Sequence, residues 1–361
     1  MSKFKKEKPL YLTIYEAIKK DIEEGKIKKG ELIQPEQELT KIFGVSRVTI
    51  RKALELLLKN NYVKRKKRYG TEVIYEIKKI RDEKAIGVLL VDITRPFFNE
   101  ILKGIQQILD LKGYKLILCD TENDNEKEKE YILRYKDNVA GFIIAPSTEN
   151  RNLPVYAQLI VEKVPFIFID RYLPELNIDC VTSDNFQGGY IATKHLIELG
   201  HKNIAVITEL EASSLTERIE GYKSALKEAN IESTFILRGE KRGFRNGYEM
   251  TKKIINEYPK ITGIFCLNDE IALGCMKCLH EHKINVPKEI SVIGYDNLPL
   301  SSQIHPTLTT IEQKKIEIGK KSAEILIEKL EKPEKKQTQI IKFPVEFIKR
   351  ESTGVCKKII K

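Results

Sequence analysis

Nowhere does this chain hold an apolar run approaching the roughly 20 residues that a membrane span requires. Its first residues, MSKFKKEKPLYLT, are basic but lack the apolar stretch of a secretory signal, so a cytoplasmic location is expected. Cysteine is scarce: six in 361 residues fit reduced thiols rather than a disulfide scaffold. Cys275, Cys278, His280 and His282, in GCMKCLHEH, have spacing that zinc could use. Yet no second paired cluster occurs, and ALGCMKCL continues an apolar stripe at helical spacing. A core role is expected there, with no metal. Also missing are GxGxxG after the first apolar run, GxxxxGKS/T and GxSxG, so nucleotide enzymes lack their phosphate cradle and hydrolases their nucleophile elbow. Histidine is rare too, at five residues. His195 and His201, in HLIELGH, mark one helix and its end with no nucleophile or base assigned beside them, and a structural role is expected. Neither an enzyme nor a cofactor is anticipated.

What is present is a positive charge with an uneven distribution. The net charge is +11, and residues 1–80 hold 21 Lys and Arg against 11 Asp and Glu, while the remainder holds 42 against 41. A basic module that binds a polyanion, attached to an almost neutral body, accounts for this asymmetry. With 41% hydrophobic residues over 361 positions, two or more packed domains are expected.

In the basic part, LYLTIYEAIKKDIEE carries apolar residues at 10, 14, 18 and 22 and ends at Gly25, which predicts an amphipathic helix. A short helix over EQELTKIF, a turn at Gly44, and a third helix with Ser46 as N-cap follow. Ile50, Ala53, Leu54 and Leu57 fall on one side of that third helix and Arg47, Val48, Arg51 and Lys52 on the other. YVKRKKRYGTEVIYEI then predicts two short strands around a basic turn. These elements describe a winged helix-turn-helix, which would offer Arg47, Thr49 and Arg51 to the major groove of double-stranded operator DNA. Lys64, Arg65, Lys66, Lys67 and Arg68, with Gly70, would form a wing along the phosphates. QPEQELTKIFGVSRVTIRKAL and RYGTEV resemble the GntR family of bacterial repressors, with Gln37 and Tyr69 as departures from its usual pattern. The resemblance implies DNA contacts at Glu36, Arg47, Thr49, Arg51 and Gly70.

From residue 85 apolar strands alternate with amphipathic helices: AIGVLLV, YKLILCD, GFIIAP, PFIFID, then NIAVIT, GIFCLND and SVIGYD. Such alternation predicts an α/β body of parallel sheets with helices on both faces, in two lobes. Ligands bind such sheets at the carboxyl ends of the strands, where Asp92, Asp120, Asp170, Asn268, Asp269 and Asp296 collect. Two adjacent aromatics, Phe97 and Phe98 in RPFFN, stand just beyond the first strand, where polar turn residues are usual. Gly188 and Gly189 open a helix, and close helix packing is the expected reason.

Segments including IGVLLVDITRPFFNEILKGI, VTSDNFQGGYIATKHLIELGHKNIAVIT, VPKEISVIGYDN and HPTLTTIEQ resemble, in order, the LacI/GalR family and its periplasmic-binding-protein-like effector domain. A GntR-type head on such a body is the arrangement of the arabinose repressors of Bacillus, which the chain resembles end to end. The resemblance implies three regions: 1–75 as the winged helix-turn-helix, 76–84 as a charged linker, and 85–361 as the effector domain. It also implies lobes of about 85–170 plus 301–331 and 171–300 plus 332–350, with hinge crossings near 171, 300 and 335. From its ribose-binding members it implies pocket residues Phe97, Phe98, Asp170, Arg171, Arg218, Asn268, Asp296 and Gln313, with Arg95 where an asparagine is common. Aromatic faces for sugar C–H groups and charged side chains for hydroxyls suit a polyol. The expected protein is a homodimeric repressor of carbohydrate genes that a sugar, L-arabinose or D-ribose, releases from its operator. A hexose, a nucleoside, or an enzyme using the pocket carboxylates as acid and base remain alternatives.

Overall fold

The computed structural model describes residues 9–66, 69–75, 82–148, 152–209, 211–332 and 338–356. The chain divides into two compact units, 1–80 and 81–361. Most of the expected linker, and Lys67 and Arg68 of the wing, lie outside the described residues.

The first unit holds helices α1 (Leu10–Glu23), α2 (Glu36–Phe43) and α3 (Arg47–Lys59) with strands β1 (Leu32–Ile33), β2 (Val63–Lys66) and β3 (Gly70–Val73). The strands form one sheet in the order β1-β3-β2. The four-residue period of α1 places Ile14, Ile18 and Ile22 on the core with Leu39, Ile50, Leu54 and Leu57, as a buried stripe requires. Gly44 ends α2 in the left-handed conformation (φ 64°), open to a residue without Cβ, and turns the chain toward α3.

The second unit runs β4 (Asp82–Leu90), α4 (Pro96–Lys112), β5 (Lys115–Asp120), α5 (Asn125–Tyr135), β6 (Val139–Ile144), α6 (Leu153–Val161), β7 (Phe166–Ile169) and β8 (Cys180–Ser183). It continues with α7 (Asn185–Glu198), β9 (Ile204–Thr208), α8 (Ser213–Glu228), β10 (Phe235–Arg238), α9 (Gly243–Glu257), β11 (Gly263–Cys266), α10 (Asp269–Glu281) and β12 (Ser291–Ile293). A short 3-10 turn, Pro299–Ser302, precedes β13 (Thr310–Glu312), α11 (Lys315–Glu331), β14 (Ile340–Phe343) and β15 (Glu346–Ile348). Two parallel sheets result, β14-β8-β7-β6-β4-β5 and β10-β9-β11-β12, with β13 and β15 paired antiparallel. Each sheet is covered on both faces. Ile86, Val88 and Leu90 of β4 enter one core and Ala85 and Leu89 the other. Burial on both faces explains why these strands read as continuous apolar runs.

The sheets correct the expected lobe boundaries. β8 pairs with β7, and β14 with β8, so both belong to the first lobe. Residues 301–312 belong to the second, because β13 pairs with β15 and Asp296 bridges to Glu312. The chain therefore crosses between lobes near 184, 313 and 344, not near 171, 300 and 335. Chain order alone suggested a break at the Asp170-Arg171 loop, but strand pairing carries the lobe one strand further. The three crossings are tied side by side: the Ser183 hydroxyl donates to Gln313 Oε1 at 2.6 Å and the Asp184 amide to the Phe343 carbonyl at 2.8 Å.

Candidate ligand cleft and nucleic-acid interface

On α3, Ser46 caps the helix: its Oγ accepts from the Thr49 amide at 3.3 Å and lies 2.9 Å from the Thr49 hydroxyl. Arg47, Val48, Arg51 and Lys52 are exposed, whereas Ile50, Ala53, Leu54 and Leu57 are buried, which is the two-sided helix the sequence predicts. Glu36 of α2 holds Arg51 in an ion pair of 3.3 Å, so these two share one constrained geometry. On the hairpin, Lys64, Arg65 and Lys66 are exposed, and Lys64 and Lys66 both approach Glu72 Oε2 at 3.4 Å. Gly70 has φ 118° with open space around it, a conformation that only glycine adopts without strain. Tyr69, in the place of a wing-tip glycine, is 70% exposed with Lys66 over its ring.

In the body, an open cleft of about 720 Å³, measured out to bulk solvent, lies between the lobes. Its walls include Arg95, Phe97, Phe98, Asp170, Arg171, Arg218, Asn268 and Asp296. The two phenylalanines form the first turn of α4 behind Pro96, which pre-sets the helix start. Their rings meet edge to face at 5.1 Å, and most of each ring is buried in the first lobe's core. RPFFN is thus a helix start whose aromatic turn also lines a cleft.

Asp170 sits in the left-handed region (φ 68°) directly after β7, and its carboxylate takes the Arg171 Nε at 2.9 Å. Opposite, Arg218 of α8 is nearly wholly buried. Its Nε donates to Asn185 Oδ1 at 2.8 Å, its Nη1 to the Leu267 carbonyl at 2.5 Å, and its guanidinium lies 3.6 Å above the Tyr295 ring. Asp296 Oδ1 is 3.9 Å from that Nη1. Burial pushes the Asp296 carboxyl up to about 7, against the opposing pull of Arg218 and Lys315. Asp269 lies deeper, is pushed up by burial to about 8, and accepts from the Thr310 hydroxyl and the Leu298 amide. Its role is internal support. Helix approach sets where Arg218 stands: a Cβ at Gly189 would meet the Arg218 carbonyl at 2.0 Å, so α7 and α8 can touch only through glycine. Close packing is indeed what Gly188 and Gly189 provide.

Gln313 departs from the expectation. It is 1% exposed and stands behind Asp296, donating to its Oδ1 at 2.6 Å, so it orients a wall residue instead of forming the wall. His195 and His201 face Thr353, and Thr262 and Ser291, inside the second lobe. Cys275 and Cys278 are buried, and no group of metal-ligating side chains occurs among the described residues. No helix among them is long and apolar enough to cross a membrane.

Residues 83–351 match the family described as periplasmic binding proteins and sugar binding domain of LacI family, and residues 10–73 match the gntR family of bacterial regulatory proteins. The chain belongs to the LacI family and carries a GntR-family head. The HTH-type transcriptional repressor PurR of Haemophilus influenzae (strain PittEE) is 33% identical, over 73% of this chain and 78% of that protein. The arabinose metabolism transcriptional repressor of Geobacillus stearothermophilus is 30% identical over 96% of this chain and 98% of that one. A LacI family transcriptional regulator from Enterococcus faecium, solved with bound ribose, is 37% identical with a TM-score of 0.68, spanning 76% of this chain and all of that one. The chain is a transcriptional repressor of the LacI/GntR type with a sugar-binding body.

Sequence reasoning missed several walls of this LacI-family cleft. Asn123, Thr148, Glu209, Ser214, Arg242 and Glu270 line it as well. Two were within reach of the strand-end rule: Glu209 follows NIAVIT, and Glu270 follows LND. The others sit in loops and helix starts with no pattern to mark them.

Proposed function

We propose that the repressor binds an uncharged pentose, D-ribose or L-arabinose, in this cleft and is released from operator DNA when the lobes close on it. The convergence of Asp170, Arg171, Arg218, Asn268 and Asp296 on a cleft floored by Phe97 and Phe98 carries the reading. Aromatic edges suit the C–H face of a sugar, and charged or amide side chains suit its hydroxyls, which donate and accept at once. The charge balance supports a neutral ligand. Arg95 is engaged by carboxylates, Arg171 by Asp170, Arg218 by Asn185, the Leu267 carbonyl and Asp296, and Arg242 by the Glu122 carbonyl. A phosphate would have to displace those partners. Two of the relatives support a pentose: one was solved with bound ribose and another is a repressor of arabinose metabolism.

In this reading the exposed face of α3 enters the major groove, with Arg47 and Arg51 toward bases and phosphates and Glu36 steadying Arg51. Lys64, Arg65, Lys66 and Gly70 follow the phosphate backbone. A homodimer would set the spacing of two such heads, and closure would change that spacing. The coupling is reciprocal, so DNA must weaken sugar binding by the factor by which sugar weakens DNA binding. Titration calorimetry with D-ribose and L-arabinose, paired with fluorescence anisotropy on operator DNA, tests this. The reading fails if neither sugar binds or if bound sugar leaves DNA affinity unchanged.

A further inference from the structure

Arg95 stands at the mouth of the cleft, on the first lobe, immediately before α4. Its Nη1 lies 3.1 Å from Glu209 Oε1 and its Nε 3.4 Å from Glu270 Oε2, both on the second lobe. Asp92 of its own lobe is 3.5 Å from the same Nε. Glu209, directly after β9, is nearly buried and does more than meet Arg95. Its Oε1 also takes the Asn268 amide nitrogen at 3.3 Å, and its Oε2 accepts from the Gly243 amide at 2.8 Å. Gly243 opens α9 with φ 53°, and the residue before it, Arg242, reaches the Glu122 carbonyl of the first lobe at 3.2 Å. One carboxylate therefore organises a direct bond to the opposite lobe, the start of the helix that makes a second, and a candidate ligand contact.

We infer that Glu209 is the positioning residue of an Arg95-centred closure clasp, which sets effector affinity through the lobe equilibrium. The inference rests on the proposed closure around a ligand. The bonds from Arg95 to Glu209 and Glu270 form only when the lobes approach, so their free energy belongs to closure. A contribution to closure multiplies the affinity of every ligand bound in the closed form by one common factor and leaves selectivity alone. A side chain that touches the sugar instead changes the ranking of sugars. The cluster is also asymmetric. Without Arg95, Asp92, Glu209 and Glu270 face one another as like charges, whereas without the Glu209 charge Arg95 still has two partners.

The test uses the full chain with Arg95→Gln, Glu209→Gln and the double variant, each checked for a wild-type circular dichroism spectrum. Calorimetry with D-ribose and L-arabinose reads affinity, and small-angle scattering without ligand reads the radius of gyration. Arg95→Gln is expected to weaken whichever sugars bind by one shared factor, roughly five- to a hundredfold, the usual span of such couplings. Glu209→Gln weakens them less, and the double variant binds more tightly than Arg95→Gln alone because one repelling carboxylate is gone. Unchanged affinity, or a changed ratio between the sugars, overturns the clasp. If neither sugar binds the unmodified chain, the pentose reading has failed and scattering alone decides: a larger radius for Arg95→Gln supports the clasp, and an unchanged radius overturns it.

Discussion

The head and the cleft both use arginine and carboxylate, in opposite ways. On the head Arg47, Arg51, Lys64, Arg65 and Lys66 are exposed, and the Arg51–Glu36 pair is water-facing. In the cleft Arg218 is 4% exposed and Asp296 7%, and each is held by several bonds. Exposed pairs of this kind contribute little to stability and leave their cations available to an external polyanion. Buried pairs are held in fixed geometry, are shielded from salt, and suit recognition of neutral hydroxyls. Under the proposed function, the same residue types would serve nonspecific attraction in one place and stereospecific fit in another, with burial making the difference.

Salt should separate the head from the cleft most strongly. Between 50 and 200 mM salt, operator affinity should fall by about a thousandfold or more, as counterion release at six or more phosphates requires. Sugar affinity over the same range should change far less, since a pentose is uncharged and Arg218 and Asp296 beside it are paired and buried. Anisotropy and calorimetry across a salt series read both, and a steep slope for the sugar would dissolve the distinction.

Next in size is Arg218→Ala. Removing Arg218 takes the nearer guanidinium from the buried Asp296 and leaves Lys315 and Gln313 as its support, a change that costs up to about 3–5 kcal/mol. Sugar binding should vanish and the body should melt at lower temperature, while DNA affinity at a temperature below the transition stays at its original value. Asp170→Ala should likewise remove the sugar response. Loss of DNA binding in both, with the fold retained, would reject the assignment of these residues to the ligand.

Arg47→Ala on the exposed side is a smaller perturbation. It should weaken operator binding by about 1–3 kcal/mol and leave both sugar affinity and melting temperature unaltered. The smallest effect concerns pH. Asp296 and Asp269 are raised in the folded state to about 7 and about 8, from ordinary values near 3.8. The native chain then holds protons that the unfolded chain has released, so their contribution to stability is present in acid and is lost as pH rises through 7 and 8. Asp296→Asn should flatten part of the decline in melting temperature between pH 6 and 8.5; an unchanged slope would assign the titration elsewhere.

Local pattern made much of this molecule legible. The spacing of Ile14, Ile18 and Ile22, the cap at Ser46, the turn at Gly44 and the two-sided α3 follow from helix period and backbone preference alone. The parallel strands announced themselves as apolar runs, and polar residues at their carboxyl ends pointed to the cleft. Arg95, Phe97, Phe98, Asp170, Arg171, Arg218, Asn268 and Asp296 do line it together. Gln313 was misplaced by one layer, because nothing in HPTLTTIEQ distinguishes a wall from the residue behind it.

Short-range residue order was enough for the elements, the basic head and the chemistry available at the strand ends, since each depends on neighbours a few positions away. Where the chain changes lobes emerged in three dimensions, since strand pairing and not chain order assigns Cys180–Ser183 and Ile340–Phe343 to the first sheet. The tertiary fold alone brought Arg95 to Glu209, 114 residues further along, and to Glu270. Ion pairs across a cleft depend on how two separately built lobes approach, and no local periodicity encodes that distance.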